Sequence, residues 1–244
     1  MNPLILIPAR MAATRLPGKP LADIGGKPMI VRAWEQGAAS GFRTAVAAGD
    51  PEIVIAVREA GGTAVITDAD LPSGSDRIRA ALETIDPDGR HDVVVNLQGD
   101  MPLADPGLAR ACVAILQAEP DCDIATLVAP EANASDRSNP DVVKAVVALE
   151  PGASAGRALY FTRSTLYGDG PVWRHIGVYA YRREALIRFC NAPPSALERR
   201  EKLEQLRALE MGMSLWAAVI DAAPSSVDNP ADLEAVRAQA GRRV

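Results

Sequence analysis

Aromatic side chains are scarce in this sequence, at 4% of 244 positions, so Ala, Val, Leu and Ile must fill the core that a 48% hydrophobic composition supports. Cysteine occurs three times, as Cys112, Cys122 and Cys190. That is too few and too scattered for a disulfide framework or a zinc knuckle, and burial as small apolar residues is expected for each. Basic residues do not dominate. Twenty-six Lys and Arg stand against 31 Asp and Glu, a net charge of −5, which argues against nucleic-acid binding along the whole chain. No apolar stretch approaches the roughly 20 residues of a membrane span. The first apolar run, residues 4–8, stops at Pro8 before a basic loop, which is not the pattern of a secretory signal. A reducing cytoplasm is therefore the expected compartment. Internal repeats, low-complexity tracts and long linkers are also missing, and the length suits one α/β domain with a lobe.

What is present is an alternation of strand-like and helix-like stretches. Leu4-Ile5-Leu6-Ile7-Pro8 reads as a buried strand. A helix is expected from Pro28, a favoured first-turn residue, to about Ser40 before Gly41. Thr44–Ala48, Thr63–Ile66 and Asp123–Val128 read as strands, and Pro51–Ala60 and Asp105–Ala118 as helices. Ser73-Gly74-Ser75 is placed to cap a helix at Asp76–Ile85. Residues 92–97 form the clearest strand, a continuous apolar run suited to a central position. This rhythm predicts a mostly parallel open sheet with helices on both faces. The second half is less regular. Strands are expected at Val142–Ala148, Ala158–Phe161, Ile176–Tyr181 and Leu215–Ile220, a loop at 165–173, and helices at Glu198–Met211 and Ala231–Ala240.

The chemistry concentrates after the first strand. Arg10, Arg15 and Lys19 crowd a loop leaving the carboxyl end of a parallel strand, where open α/β sheets bind ligands. Three fixed cations there call for an anion, and a polyphosphate fits them best. The loop is not a Walker A motif, because Gly18-Lys19 is followed by Pro20, and no dinucleotide fingerprint follows Pro8. Lys27, in a second Gly-Lys-Pro, belongs to a helix start instead. Asn96-Leu97-Gln98-Gly99-Asp100 brings an amide and a carboxylate to the end of the central strand. Asp100 suits a hard divalent cation shared with substrate phosphates, while Asp105 is better placed as a helix cap. Asp228, in Val227-Asp228-Asn229-Pro230, reads either as a second metal ligand or as a simple cap.

Together these motifs resemble the 3-deoxy-manno-octulosonate cytidylyltransferases, the CMP-Kdo synthetases. The similarity runs from Ile7-Pro8-Ala9-Arg10 and Thr14 to Leu21, through Gly26-Lys27-Pro28-Met29-Ile30, Ser73-Gly74-Ser75-Asp76-Arg77 and Asn96 to Asp100. It continues at Ala158 to Arg163, Arg174 to Tyr179 and Leu203 to Arg207, and ends at Val227 to Glu234. Motifs in one order over nearly the whole chain make the resemblance specific.

The resemblance implies a Rossmann-like fold of the nucleotide-diphospho-sugar transferase type, with a small β-rich lobe at about 130–215 that binds sugar and forms a dimer. It implies a cytoplasmic, Mg²⁺-dependent homodimer that makes CMP-Kdo and pyrophosphate from CTP and Kdo for lipopolysaccharide synthesis, with neither nucleic acid nor membrane as a partner. Arg10, Arg15 and Lys19 would hold the phosphates, and Arg77 and Gln98 the nucleotide. Lys19, Arg10 and Asp100 would be catalytic, and Asp100 and Asp228 would ligate metal. Arg163, His175, Tyr179, Glu204 and Gln205 would line the sugar pocket. Read without the resemblance, His175 and Tyr179 could equally be strand packing, Glu204 and Gln205 a solvated helix face, and His91 an exposed turn residue. Ala13 replaces a common family serine, Met101 a common glutamate, and the stretch from Arg163 to His175 is short. These departures bear on the sugar. Another acidic sugar, such as amino-Kdo or a sialic-acid-like compound, is the alternative substrate, and a non-catalytic nucleotide-binding regulator the alternative class. The number of metal ions and the identity of the general base stay open.

Overall fold

The computed structural model describes residues 1–12, 16–168 and 170–242, and Arg15 lies outside the described residues. The chain forms two compact units, Met1–Ala109 with Pro224–Val244, and Arg110–Ala223.

The first unit opens with β1 (Pro3–Ala9), α1 (Met29–Ala39), β2 (Arg43–Ala48), α2 (Pro51–Glu59), β3 (Ala64–Ile66), α3 (Gly74–Ile85) and β4 (Val93–Asn96). Its strands are all parallel, in the order β3-β2-β1-β4. Leu4, Ile5, Leu6 and Ile7 of β1 and Val94 and Val95 of β4 are fully buried, which explains their unbroken apolar runs. Each such side chain contributes about 1.5–3 kcal/mol by leaving water. The chain first winds outward from β1 to β2 and β3, with α1 and α2 packed on each other. It then crosses back through α3, which packs on β1, β2 and β3, to place β4 on the other side of β1. Right-handed crossovers in opposite directions put α3 on the opposite face from α1 and α2. The order therefore reverses between β1 and β4, and the loops leaving their carboxyl ends diverge around a crevice.

The second unit follows from α4 (Gly107–Ala118), whose first residues lie before Arg110. It contains β5 (Ile124–Pro130), β6 (Lys144–Ala148), β7 (Ala155–Thr162), β8 (Trp173–Arg182), α5 (Arg183–Asn191), α6 (Ala196–Glu201), α7 (Gln205–Glu210) and β9 (Leu215–Val219). Its strands run in the order β8-β5-β9-β7-β6, and β6 pairs back onto β8 through Lys144 opposite Arg174, so the sheet closes on itself. Only β5 and β9 are parallel here. After Ala223 the chain rejoins the first unit and ends in α8 (Pro230–Gly241).

Three local expectations need correction. The single helix expected at Glu198–Met211 is two helices, because Lys202 adopts a left-handed conformation (φ 56°) that turns Leu203 inward. The Arg183–Asn191 helix was not expected: Arg182 gives it no side-chain cap, and Ala185, Leu186 and Phe189 supply a short apolar face. His91 is buried rather than exposed. Its ring Nδ1 lies 3.1 Å from the Asn2 carbonyl, and its N–H donates to Asp86 Oδ2 at 2.8 Å.

Candidate active site

A cavity of about 320 Å³ opens in the crevice of the first unit, lined by Arg10, Lys19, Gln98, Gly99, Asp100 and Asp228 among others. Each wall has a local cause. The loop after β1 tightens at Gly18, whose positive φ of 70° suits glycine, and Pro20 starts the short 3-10 helix Lys19–Leu21. Lys19 thereby aims its ammonium across the cavity. It donates to Asp100 Oδ2 and to the Val227 carbonyl, both at 2.8 Å. The opposite wall is a tight turn after β4, in which the Met101 N–H reaches the Gln98 carbonyl at 3.3 Å. Gly99 relieves crowding there, since a Cβ would lie 3.1 Å from both the Pro8 carbonyl oxygen and Ile30 Cδ1.

The third wall comes from the returning segment before α8. The Val227 N–H donates to the Asp100 carbonyl at 3.0 Å, so backbone and ammonium together tie 227–228 to the turn after β4. The cap of α8 is Asn229, whose side chain accepts from the Ala231 and Asp232 N–H groups. The Asp232 carboxylate accepts in return from the N–H groups of Asp228 and Asn229. Asp228 is therefore not the cap, and it lines the cavity. Asp100 is likewise spared, because Asp105 accepts from the Gly107 N–H at the start of α4. Two carboxylates on one cavity are a hard-oxygen donor set that fits a divalent cation completing its shell with phosphate oxygens and water. No cluster of three or more acidic, His or Cys ligands occurs among the described residues.

A second cavity, about 210 Å³, shares Pro8, Ala9, Arg10 and Gln98 with the first and adds Leu71, Pro72, Ser73, Gly74 and Arg77. Ser73 Oγ caps α3 by accepting the Asp76 N–H at 3.1 Å. Arg77 is only 2% exposed, and its guanidinium donates to Thr67 Oγ1, the Asp68 carbonyl and the Ala69 carbonyl at 2.7–3.1 Å. Burial, and then the charge of Arg10, hold it below the ordinary arginine value. Arg77 thus builds the wall from 67 to 69. Gly49 makes room for it, since a Cβ there would come within 2.7 Å of its Nη1. On the other side of that loop, the Met11 N–H donates to Asp50 Oδ2 at 2.7 Å, which anchors the chain just after Arg10. Lys27 pairs with Glu35 at 2.6 Å, outside both cavities.

The sugar-pocket candidates all lie in the second unit. His175 and Tyr179 share β8 with ring centroids 5.4 Å apart, and Phe161 meets the His175 ring edge-on at 4.9 Å. Burial pushes His175 down to about 3, keeping it neutral, and pushes the Tyr179 phenol far up, with Glu204 adding to the same effect. Glu204 precedes α7 without a side-chain capping bond and lies 3.9 Å from the Arg207 guanidinium, and Gln205 is buried beside it in sequence. Arg163 is fixed mainly through its backbone. Its N–H reaches Glu201 Oε2 at 3.4 Å, its carbonyl accepts from Lys144 Nζ at 2.8 Å, and its guanidinium donates to the Pro140 carbonyl at 2.9 Å.

Sequence reasoning missed Lys144, which is fully buried with its ammonium on the Asn139 and Arg163 carbonyls. A lysine inside an apolar strand was its only signal. It also missed the pairing of Arg207 with Glu198 at 2.6 Å, which joins α7 to α6. Cys112 and Cys122 are buried, and burial pushes the Cys122 thiol up to about 12.

A cytidylyltransferase family model matches residues 4–215. The 3-deoxy-manno-octulosonate cytidylyltransferase of Parvibaculum lavamentivorans is 57% identical over 244 residues, covering 99% of this chain and 94% of that protein. The enzyme of the same name from Rhodospirillum rubrum is 56% identical over 241 residues, covering 98% and 96%. Among solved structures, a CMP:2-keto-3-deoxy-manno-octonic acid synthetase complexed with CTP superposes with a TM-score of 0.91 at 35% identity, over 100% of both chains.

Proposed function

Because the chain belongs to the 3-deoxy-manno-octulosonate cytidylyltransferase family, we propose that its two joined cavities are where it transfers CMP from CTP to Kdo, releasing pyrophosphate. The observation that carries this reading is the cavity at the β1–β4 switch point, where Arg10 and Lys19 share one space with Asp100 and Asp228. Polyphosphate and metal demand opposite charges in one place, and few other ligands do.

The triphosphate lies along the loop after β1, with Arg10, Arg15 and Lys19 on its oxygens. Gln98 and the pocket that Arg77 supports take the nucleoside. Asp100 and Asp228 would hold Mg²⁺, which when bound neutralises phosphate charge and favours departure of pyrophosphate. A bound triphosphate would compete with Asp100 for the Lys19 ammonium.

In the reaction the anomeric oxygen of Kdo forms a bond to the α-phosphorus, the bond from that phosphorus to pyrophosphate breaks, and the hydroxyl proton passes to the Asp100 carboxylate or to water. Both reactants are anions, so the chain's main contribution is to neutralise and align them. Arg163 meets the Kdo carboxylate, while His175, Tyr179, Glu204 and Gln205 meet its hydroxyls. The lobe at about 130–215 carries that sugar site and the contacts of a homodimer, and the enzyme works in the cytoplasm. Pyrophosphate release from purified protein with CTP and Mg²⁺, with and without Kdo, tests the reading. Release should require Kdo and stop with EDTA, and CTP binding without Kdo-dependent release would overturn it.

A further inference from the structure

We infer that Thr126 is a positioning residue that holds His175 as its Nε2–H tautomer, leaving Nδ1 as a hydrogen-bond acceptor for a sugar hydroxyl. The sugar half of this inference rests on the proposed function, whereas the tautomer half rests on the hydrogen bonds of Thr126 and on the neutrality of the ring.

Thr126 is a fully buried polar residue on β5. Its neighbour β8 departs from regular pairing beside it: Thr126 faces Tyr179, yet the next residue, Leu127, faces Ile176. Gly177 and Val178 are the surplus residues of this bulge, and local carbonyl groups there lose their place in the ladder. Thr126 Oγ1 lies 2.9 Å from the Val178 carbonyl, 3.2 Å from the Ile176 carbonyl and 3.0 Å from His175 Nε2.

A hydroxyl carries one proton and two lone pairs. Two of its three partners are carbonyl oxygens, which can only accept. If the proton went to His175 Nε2, both carbonyls would face hydroxyl lone pairs at 2.9 and 3.2 Å with no hydrogen between them. The proton therefore goes to the nearer carbonyl, Val178, which leaves one carbonyl, Ile176 at 3.2 Å, without a full hydrogen bond instead of two, and a lone pair remains for the ring. Nε2 must then carry a hydrogen and donate it.

Burial keeps His175 neutral, so Nδ1 has none. Among the described residues no hydrogen bond is made to Nδ1, and Phe161, edge-on at 4.9 Å, restrains the plane of the ring. A neutral nitrogen with a lone pair recognises a hydroxyl donor and discriminates little in favour of an anion. This division of labour suits a polyhydroxy acid whose carboxylate is met by a separate cation.

The experiment is a two-bond proton–nitrogen correlation spectrum of the imidazole in wild type, Thr126→Val and Thr126→Ser, with KM for Kdo and for CTP measured on each. Wild type and Thr126→Ser should show the Nε2–H form. Thr126→Val, close in shape but lacking the hydroxyl, should lose that preference. It should raise KM for Kdo about three- to tenfold, the size of one net hydrogen bond, while KM for CTP stays put and serine restores it. An Nδ1–H ring in the wild type, or an unchanged tautomer in folded Thr126→Val, would overturn the assignment. The expected tautomer change with an unaltered KM for Kdo would instead remove His175 from the sugar pocket and leave the assignment of Thr126 standing.

Discussion

Replacing Lys19 by glutamine removes one charge while keeping a donor of similar reach. In the free protein the ammonium holds Asp100 Oδ2 and the Val227 carbonyl at 2.8 Å each, with the two side chains 18% and 27% exposed. The amide can retain the bond to Val227, so the loss is one charge-assisted contact at a partly wetted site. That is worth about 1–2 kcal/mol after solvent screening. At about 2–4 °C per kcal/mol for a chain of this size, Tm should fall by roughly 2–8 °C. Catalysis should suffer far more. A cation preorganised beside developing phosphate charge is worth about 2.7–4 kcal/mol, so kcat/KM should drop roughly 10²- to 10³-fold. Steady-state pyrophosphate release and a thermal melt on the same preparation separate the two effects. A kcat/KM within about threefold of wild type would make Lys19 a strut and nothing more.

Asp100→Ala should abolish turnover while weak CTP binding survives in calorimetry, and unchanged turnover would remove Asp100 from the mechanism. Arg77→Met should cost about 2–4 kcal/mol of stability, since three acceptors on Thr67, Asp68 and Ala69 lose a buried donor. Denaturant titration checks this, and a midpoint equal to wild type would contradict the supporting role given to Arg77. For His175, the folded value near 3 lies below the ordinary 6.5, so the unfolded chain takes up the proton first. Its contribution is complete above about pH 6.5 and declines as pH falls toward 3, by at most about 1.4 kcal/mol per pH unit. His175→Gln should flatten that slope in stability measured against pH, and an identical slope would place the acid sensitivity elsewhere.

The parallel sheet of the first unit was legible because β1 and β4 are buried on both faces, so their apolar runs are unbroken. Arg10, Lys19 and Asp100 stood out for a related reason, as charged residues in loops that follow buried strands, and the structure brings all three to one cavity. Asp228 was ambiguous in sequence because Asn229 and Asp232 beside it are equally good capping residues, and only the structure divides the tasks among them. The break between α6 and α7 was hidden because it depends on a lysine in a conformation that sequence associates with glycine. Lys144, Arg77 and Thr126 were hardest to read. Their partners are mostly backbone carbonyls, and where those carbonyls gather is a property of the folded chain.

The proposed reaction joins the cytidylyl group of CTP to Kdo at the cavity bounded by Arg10, Lys19, Asp100 and Asp228. Phosphorus NMR of a reaction containing CTP, Kdo and Mg²⁺ tests it most directly, run in parallel with wild type and Asp100→Ala. A new CMP phosphodiester and pyrophosphate should appear in equal amounts with the wild type, and neither with the variant. Intact CTP in the wild-type reaction, or equal product from both proteins, would contradict it.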